Sequence, residues 1–265
     1  DAGIRDPLWS RGLGDVYKRQ VTASMGPIRS PSGESARHED AQKRLISATA
    51  AAQEIDASDK IVCPGFIDVH NHSDGWLLRD GHQTYKTRQG FTTEIIMSDG
   101  ISYAPVSSET WRDWIYYLRG LNGLRMQDYT GWQTLDDYLE VLNGRSVQNF
   151  AAQIPYANLR TLVHDFSRGP LDDSQVVRMQ QLVTECLEAG AVALSTGLDY
   201  ISQCHSPTSE LVKACLPMAG QNKPYVTHIR YKIGLLDGIR EAIEIGRKAC
   251  LLYTSPSPRD QRGAR

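Results

Sequence analysis

The stretch Gly65-Phe66-Ile67-Asp68-Val69-His70-Asn71-His72-Ser73-Asp74 carries the chemistry most easily read from this chain. Along a strand, alternate side chains share a face, so His70 and His72 are expected to point the same way. Two neutral imidazoles one strand step apart can bind one borderline-soft cation such as Zn²⁺. Asp74 shares their parity and could orient a ligand or accept a hydrogen bond from one. A bare His-x-His pair is common without a metal. Here Pro64-Gly65 and an apolar run precede the pair, which places it at the end of a buried strand and favours the metal reading.

The elements that must hold these groups alternate in type. IVCPGFIDVH, FTTEIIM, NFAAQIPY, AVALSTGL and PYVTHIR read as strands. Helical patterns lie between them, over Glu109–Leu118, Leu135–Leu142, Ser174–Ala189, Pro207–Gln221 and Leu235–Ala249. Thr134 followed by Asp137, and Asp172 followed by Gln175, have the spacing of capping boxes. Ser206-Pro207 supplies a cap residue and then proline for a first helical position. Strands alternating with helices predict a parallel sheet, and near-continuous apolar strands predict burial on both faces. A (β/α)8 barrel is the expected fold, with a doubly wound open sheet as its rival. In a barrel the two histidines stand at the mouth, where such folds keep their sites.

The chain ends read differently. Residues 10–20 spell SRGLGDVYKRQ and residues 250–260 spell CLLYTSPSPRD. One DNA element resembling a transposon-end sequencing adaptor encodes the first peptide on one strand and the second on the other. Segments 1–20 and 250–265 are therefore expected to be adaptor-derived passengers, outside fold reasoning. The expected organisation is a poorly ordered segment with the remnant of a small β-domain over 21–63, then the barrel portion over 64–249.

Composition excludes several classes. A net charge of −2 over 265 residues offers no polyanion-binding surplus, so nucleic-acid partners are not expected. No apolar run approaches the roughly 20 residues that span a bilayer, so no membrane partner is expected either. The cysteines show no CxxC pairing or small-domain framework, which fits reduced thiols in the cytoplasm. A Rossmann-type binder would need a glycine-rich loop after the first strand, where HNHSDG stands instead.

Four stretches taken in order carry a resemblance. EIDASDKIVCPGFIDVHNHSD, QGFTTEIIMSDGISYAP, GAVALSTGLDY and YVTHIR resemble the N-acyl-D-amino-acid deacylase branch of the amidohydrolase superfamily, over about residues 55–249. The resemblance implies a (β/α)8 barrel holding one or two Zn²⁺, with a small β-domain built from both chain ends. It assigns His70 and His72 to the first-strand ligand pair and His228 to a ligand on a later strand. Asp99 occupies the place where the characterised type carries a cysteine ligand in an Asn-Cys-Gly context. A carboxylate there is a harder ligand than a thiolate, while the plainer reading is that Asp99 only turns the chain before Gly100. The AVALSTGLDY strand has no lysine, which argues against a carbamylated-lysine bridge between two metals. Tyr200 matches a position near the substrate, and Arg230 could meet a carboxylate bidentately. His82, His164 and His205 match nothing in the branch.

The implied reaction is hydrolysis of the linear amide C–N bond of a small N-acyl-D-amino acid. The branch draws its general base from an aspartate on the eighth strand and a further histidine ligand from beyond the His228 strand. Neither has a counterpart before Ala249, so the chain itself is expected to be inactive. The alternatives are a hydantoinase- or dihydropyrimidinase-like hydrolase of cyclic amides, or a non-catalytic metal-binding fragment.

Overall fold

The structure is a computed structural model that describes residues 59–249; both expected adaptor segments and most of segment 21–63 lie outside the described residues. A compact unit beginning at Gly65 holds all of the described strands. Five strands form one parallel sheet: β1 (Phe66–Asp68), β2 (Phe91–Ile96), β3 (Asn149–Pro155), β4 (Ala193–Gly197) and β5 (Tyr225–His228). Their order in the sheet is their order in the chain. Parallel crossovers are right-handed, so five strands added on the same side put every crossover on one face and curl the sheet. A doubly wound sheet reverses its order at a switch point, and none occurs among the described residues. The sheet is a curled half-barrel, the first five strands of a TIM-barrel arrangement.

The crossovers carry α1 (Asp74–Arg79), α2 (Thr84–Thr87), α3 (Trp111–Leu118), α4 (Leu135–Leu142), α5 (Tyr156–His164), α6 (Asp173–Glu188), α7 (Thr208–Cys215) and α8 (Leu235–Lys248). Both expected capping boxes form. Thr134 Oγ1 accepts from the Asp137 N–H at 3.0 Å, and Asp172 accepts from the Gln175 N–H at 2.9 Å. Pro207 stands at the cap position with extended backbone, so α7 starts one residue later than Ser206-Pro207 suggested. That helix also stops at Cys215 and continues as a short 3₁₀ turn over Leu216–Met218, with Pro217 in it.

Helix α5 escapes sequence reasoning for a physical reason. Its polar residues Asn158, Arg160 and Thr161 are all buried, so no polar stripe marks an outer face. Asn158 is satisfied by Ser102 and Pro105: its amide nitrogen donates to both carbonyls and its oxygen accepts from the Ser102 N–H. Arg160 donates to Glu210 and to the carbonyl of Ser167. The Asn158 bonds anchor the long segment after β2 to the helix after β3, and the Arg160 bonds tie that helix to α7 and to its own following loop. The apolar core lies between strands and helices and includes Ile96, Ile154, Leu194, Trp114, Tyr138 and Val183.

Candidate metal centre

Strand β1 ends at Asp68, so His70 and His72 lie in the loop that follows it rather than on the strand. Strand parity therefore does not align them. Asn71, between them, does: its amide nitrogen donates to the carbonyl of Ile95 at 3.1 Å and its oxygen accepts from the Ser73 N–H at 3.1 Å. The loop is thereby tied to the end of β2. Beneath it the Lys86 ammonium meets Glu94 at 2.6 Å, Asp68 at 3.0 Å and Ser73 Oγ at 2.7 Å, joining α2 to β1 and β2.

Asp99 arrives from the next strand. After β2 the chain turns through left-handed backbone at Met97 (φ 67°), Asp99 (φ 60°) and Gly100 (φ 71°). The turn buries the Asp99 carboxylate and brings it to both imidazoles: 3.7 Å from His70 Nε2 and 3.4 Å from His72 Nε2. Each of the three residues offers one donor atom, and these lie within 4.8 Å of one another. Direct hydrogen bonds would be shorter, at about 2.7–3.2 Å. Two ligands of a tetrahedral zinc, each about 2.0–2.2 Å from the ion, are separated by about 3.4 Å. The spacing of the three groups fits a shared ion better than direct bonding.

Burial works against the His72 cation, but the nearby Asp99 carboxylate and the charge of Asp74 outweigh it and hold its pKa above the usual value. Burial pushes the Asp74 carboxyl up to about 6, against a hydrogen bond from Ser102 Oγ at 2.5 Å. The Asp74 backbone carbonyl is held by the Tyr138 hydroxyl at 2.7 Å. His72 Nδ1 and both amide atoms of Asn122 are buried without hydrogen-bond partners, and Asn122 also helps raise the His72 pKa. A histidine that ligates through one nitrogen needs an acceptor for the other, and Asn122 is the residue placed to be it.

His228 ends β5 and does not join the three-residue group. Its Nδ1 lies 3.3 Å from the Tyr200 hydroxyl and its Nε2 3.8 Å from Asp199, with the rings of Tyr200 and Tyr231 against it. Burial first, and then the Asp99 charge, raise the Tyr200 phenol pKa. Arg230 is placed otherwise than expected. Its guanidinium donates to Glu241 and to the carbonyls of Leu198, Cys204 and Ser206, so its donors hold the loop after β4 to α8. A substrate carboxylate would have to displace those partners.

Sequence reasoning passed over Ser195, Gln203, Asn122 and Asp199. Asp199 lay in plain view within the GLDY stretch. Ser195, Gln203 and Asn122 act on residues tens of positions away and leave no local pattern.

No protein-family model matches the chain. It is 30% identical over 205 residues to a D-aminoacylase of Alcaligenes xylosoxydans xylosoxydans, an alignment covering 77% of this chain and 41% of that protein. It is 32% identical over 197 residues to an N-acyl-D-aspartate deacylase of the same organism, covering 73% and 38%. Among solved structures, a crystal structure of D-aminoacylase, described as defining a novel subset of amidohydrolases, superposes with a TM-score of 0.64 at 30% identity, covering 77% of this chain and 42% of that one. An N-acyl-D-glutamate deacylase of Bordetella bronchiseptica, complexed with zinc and a phosphonate mimic of the tetrahedral intermediate, gives 0.61 at 30% identity, covering 73% and 40%. The chain thus spans about two fifths of the relatives it matches. Sequence and fold agree over the same stretch, and the chain belongs to the D-aminoacylase branch of the amidohydrolases.

Proposed function

We propose that His70, His72 and Asp99 hold a zinc ion, and that the site serves hydrolysis of the linear amide bond of an N-acyl-D-amino acid. The observation that carries this is the convergence of two imidazoles and one buried carboxylate at metal-sharing distances, at the mouth of a half-barrel. The relatives support it, since one is a zinc-complexed deacylase and another is described by its binuclear metal centre. When bound, such an ion supplies Lewis acidity toward a water and an amide carbonyl.

The chain's own residues do the positioning. Asp99 contributes the negative charge that balances the cation. Asn122 is the residue placed to accept from His72 Nδ1, which would leave Nε2 free to ligate. Tyr200 and His228, from the β4 and β5 end of the sheet, are assigned to the substrate side of the site, and His228 is the donor available to a second cation. The free cysteines support a reducing compartment such as the cytoplasm; Cys186 and Cys215 are buried and their thiols pushed up to about 12. No described helix is long and apolar enough to cross a membrane.

The branch takes its general base from an eighth strand, and the described residues supply five. Zinc binding is therefore the property that the described residues are expected to show by themselves. Zinc content and hydrolysis of paired N-acyl-D- and N-acyl-L-amino acids test this, with His72→Ala as control. Zinc bound by the chain and lost in the control supports the reading. Hydrolysis of cyclic amides would favour the alternative reaction.

A further inference from the structure

The turn that delivers Asp99 is built from unfavourable backbone. Met97 and Asp99 are both left-handed without being glycine, and such residues cost of order 1–3 kcal/mol each unless their surroundings over-determine them. The surroundings here come from one place, the end of β4 and the loop after it. Ser195 Oγ donates to the Met97 carbonyl at 2.6 Å and accepts from the Gly100 N–H at 3.1 Å. Gln203 Nε2 donates to the Asp99 carbonyl at 2.8 Å, while Gln203 Oε1 accepts from the Gly197 N–H at 2.8 Å. Gln203 is fully buried, and each end of its amide is spent on a backbone atom.

The packing is equally tight. A Cβ on Gly100 would lie 2.8 Å from Thr196 Cα and 2.9 Å from the Ser195 carbonyl. A Cβ on Gly197 would lie 2.5 Å from the Asp99 carbonyl and 2.3 Å from the Tyr200 ring. The turn is thus pressed onto β4 and bridged to it by one side chain.

We propose that Gln203 is the positioning residue of this centre: its amide, tied to Gly197 at one end and Asp99 at the other, fixes the carboxylate against the two imidazoles and so sets the affinity for a divalent cation. The inference rests on the metal reading above. Gln203 touches neither the imidazoles nor the carboxylate oxygens; it acts through the Asp99 backbone. Its side chain suits the task, since a primary amide offers a donor and an acceptor at its two corners. Leucine or methionine would fill the volume and make neither bond. Outer partners of metal ligands typically contribute 10–100-fold in metal affinity.

Zn²⁺ affinity of the full chain, measured by competition with a chromophoric chelator, tests this alongside melting of the metal-free protein. Gln203→Leu and Gln203→Met are expected to weaken Zn²⁺ binding about 10–100-fold. Trp114→Phe removes a buried hydrogen bond to Thr161 that takes no part in holding the Asp99 carbonyl; it should lower the melting temperature and leave Zn²⁺ affinity unchanged. The decisive arm is a double-mutant cycle with Asp99→Ala. If Gln203 acts through the carboxylate, Gln203→Met has no further effect on the residual binding of the Asp99→Ala variant. Equal losses in both backgrounds, or wild-type affinity in both Gln203 variants, would overturn the inference and leave the metal reading intact. Absence of Zn²⁺ binding by the unsubstituted chain, or binding that survives His72→Ala, would remove the metal reading and this inference with it.

Discussion

The two halves of the candidate centre are supported in opposite ways. Asp99 is buried on a turn whose strained backbone is held by hydrogen bonds from Ser195 and Gln203. His70 and His72 lie in a loop tied down mainly by Asn71, and the His70 side chain is 55% exposed. The carboxylate side is held by the protein's own hydrogen bonds, whereas the imidazole side is expected to gain order when an ion binds. The contrast follows from position in the sheet. The turn after β2 has β3 and β4 beside it, while β1 is paired only with β2 among the described strands.

The largest expected effect tests whether both halves belong to one centre. Asp99→Ala and His72→Ala should each reduce Zn²⁺ affinity by more than ~100-fold, beyond the loss of an outer partner. Zinc at about 100 times its dissociation constant should then stabilise the unsubstituted chain by about 2.7 kcal/mol and these variants hardly at all. Melting curves with and without a chelator read both. Equal stabilisation of either variant would separate its residue from the centre.

Gly197→Ala probes the organised half. The added Cβ meets the Asp99 carbonyl and the Tyr200 ring, so the turn must shift; overpacking of this kind costs about 1–3 kcal/mol. We expect a comparable stability loss with about tenfold weaker Zn²⁺ binding, read by denaturant unfolding and chelator competition. Hydrogen exchange probes the other half. Zinc should slow exchange at residues 70–73 strongly and at residues 97–100 little, because the latter are already held. The reverse pattern would break the contrast between the halves.

The smallest effects lie away from both halves. Thr134→Ala removes the cap of α4 and should cost about 1 kcal/mol without changing Zn²⁺ affinity. Within the same box, the backbone N–H groups of Thr134 and Gln133 hold the Asp137 carboxyl below its usual pKa. That contribution is present above the unfolded pKa of ~4 and is lost as pH falls through the lower folded value. An acid titration of melting temperature should therefore steepen below pH 4, and less so in Asp137→Asn.

Much of the frame was legible beforehand. The five strands, α3, α4, α6 and α8 emerge where apolar periodicity and cap residues indicate them, because those signals are local. Helix α5 was hidden because its polar side chains find partners inside the protein rather than in water. At the site, His70, His72 and Asp99 converge. Strand parity is not what brings the histidines together, since the strand ends at Asp68 and Asn71 does the aligning. Arg230, which could meet a carboxylate bidentately, meets that of Glu241 on α8.

The sequence by itself determined the alternation of strands and helices, the donor types available for a metal, and the ordered stretches that mark the branch. These are carried by residue type and by spacings of a few positions. Tertiary structure alone decided which donors meet. Gln203 reaches a turn 104 residues earlier in the chain, and Ser195 one nearly as distant, because parallel crossovers bring β2 and β4 to the same end of the half-barrel. Such contacts depend on sheet order and backbone strain, which no short stretch of sequence encodes.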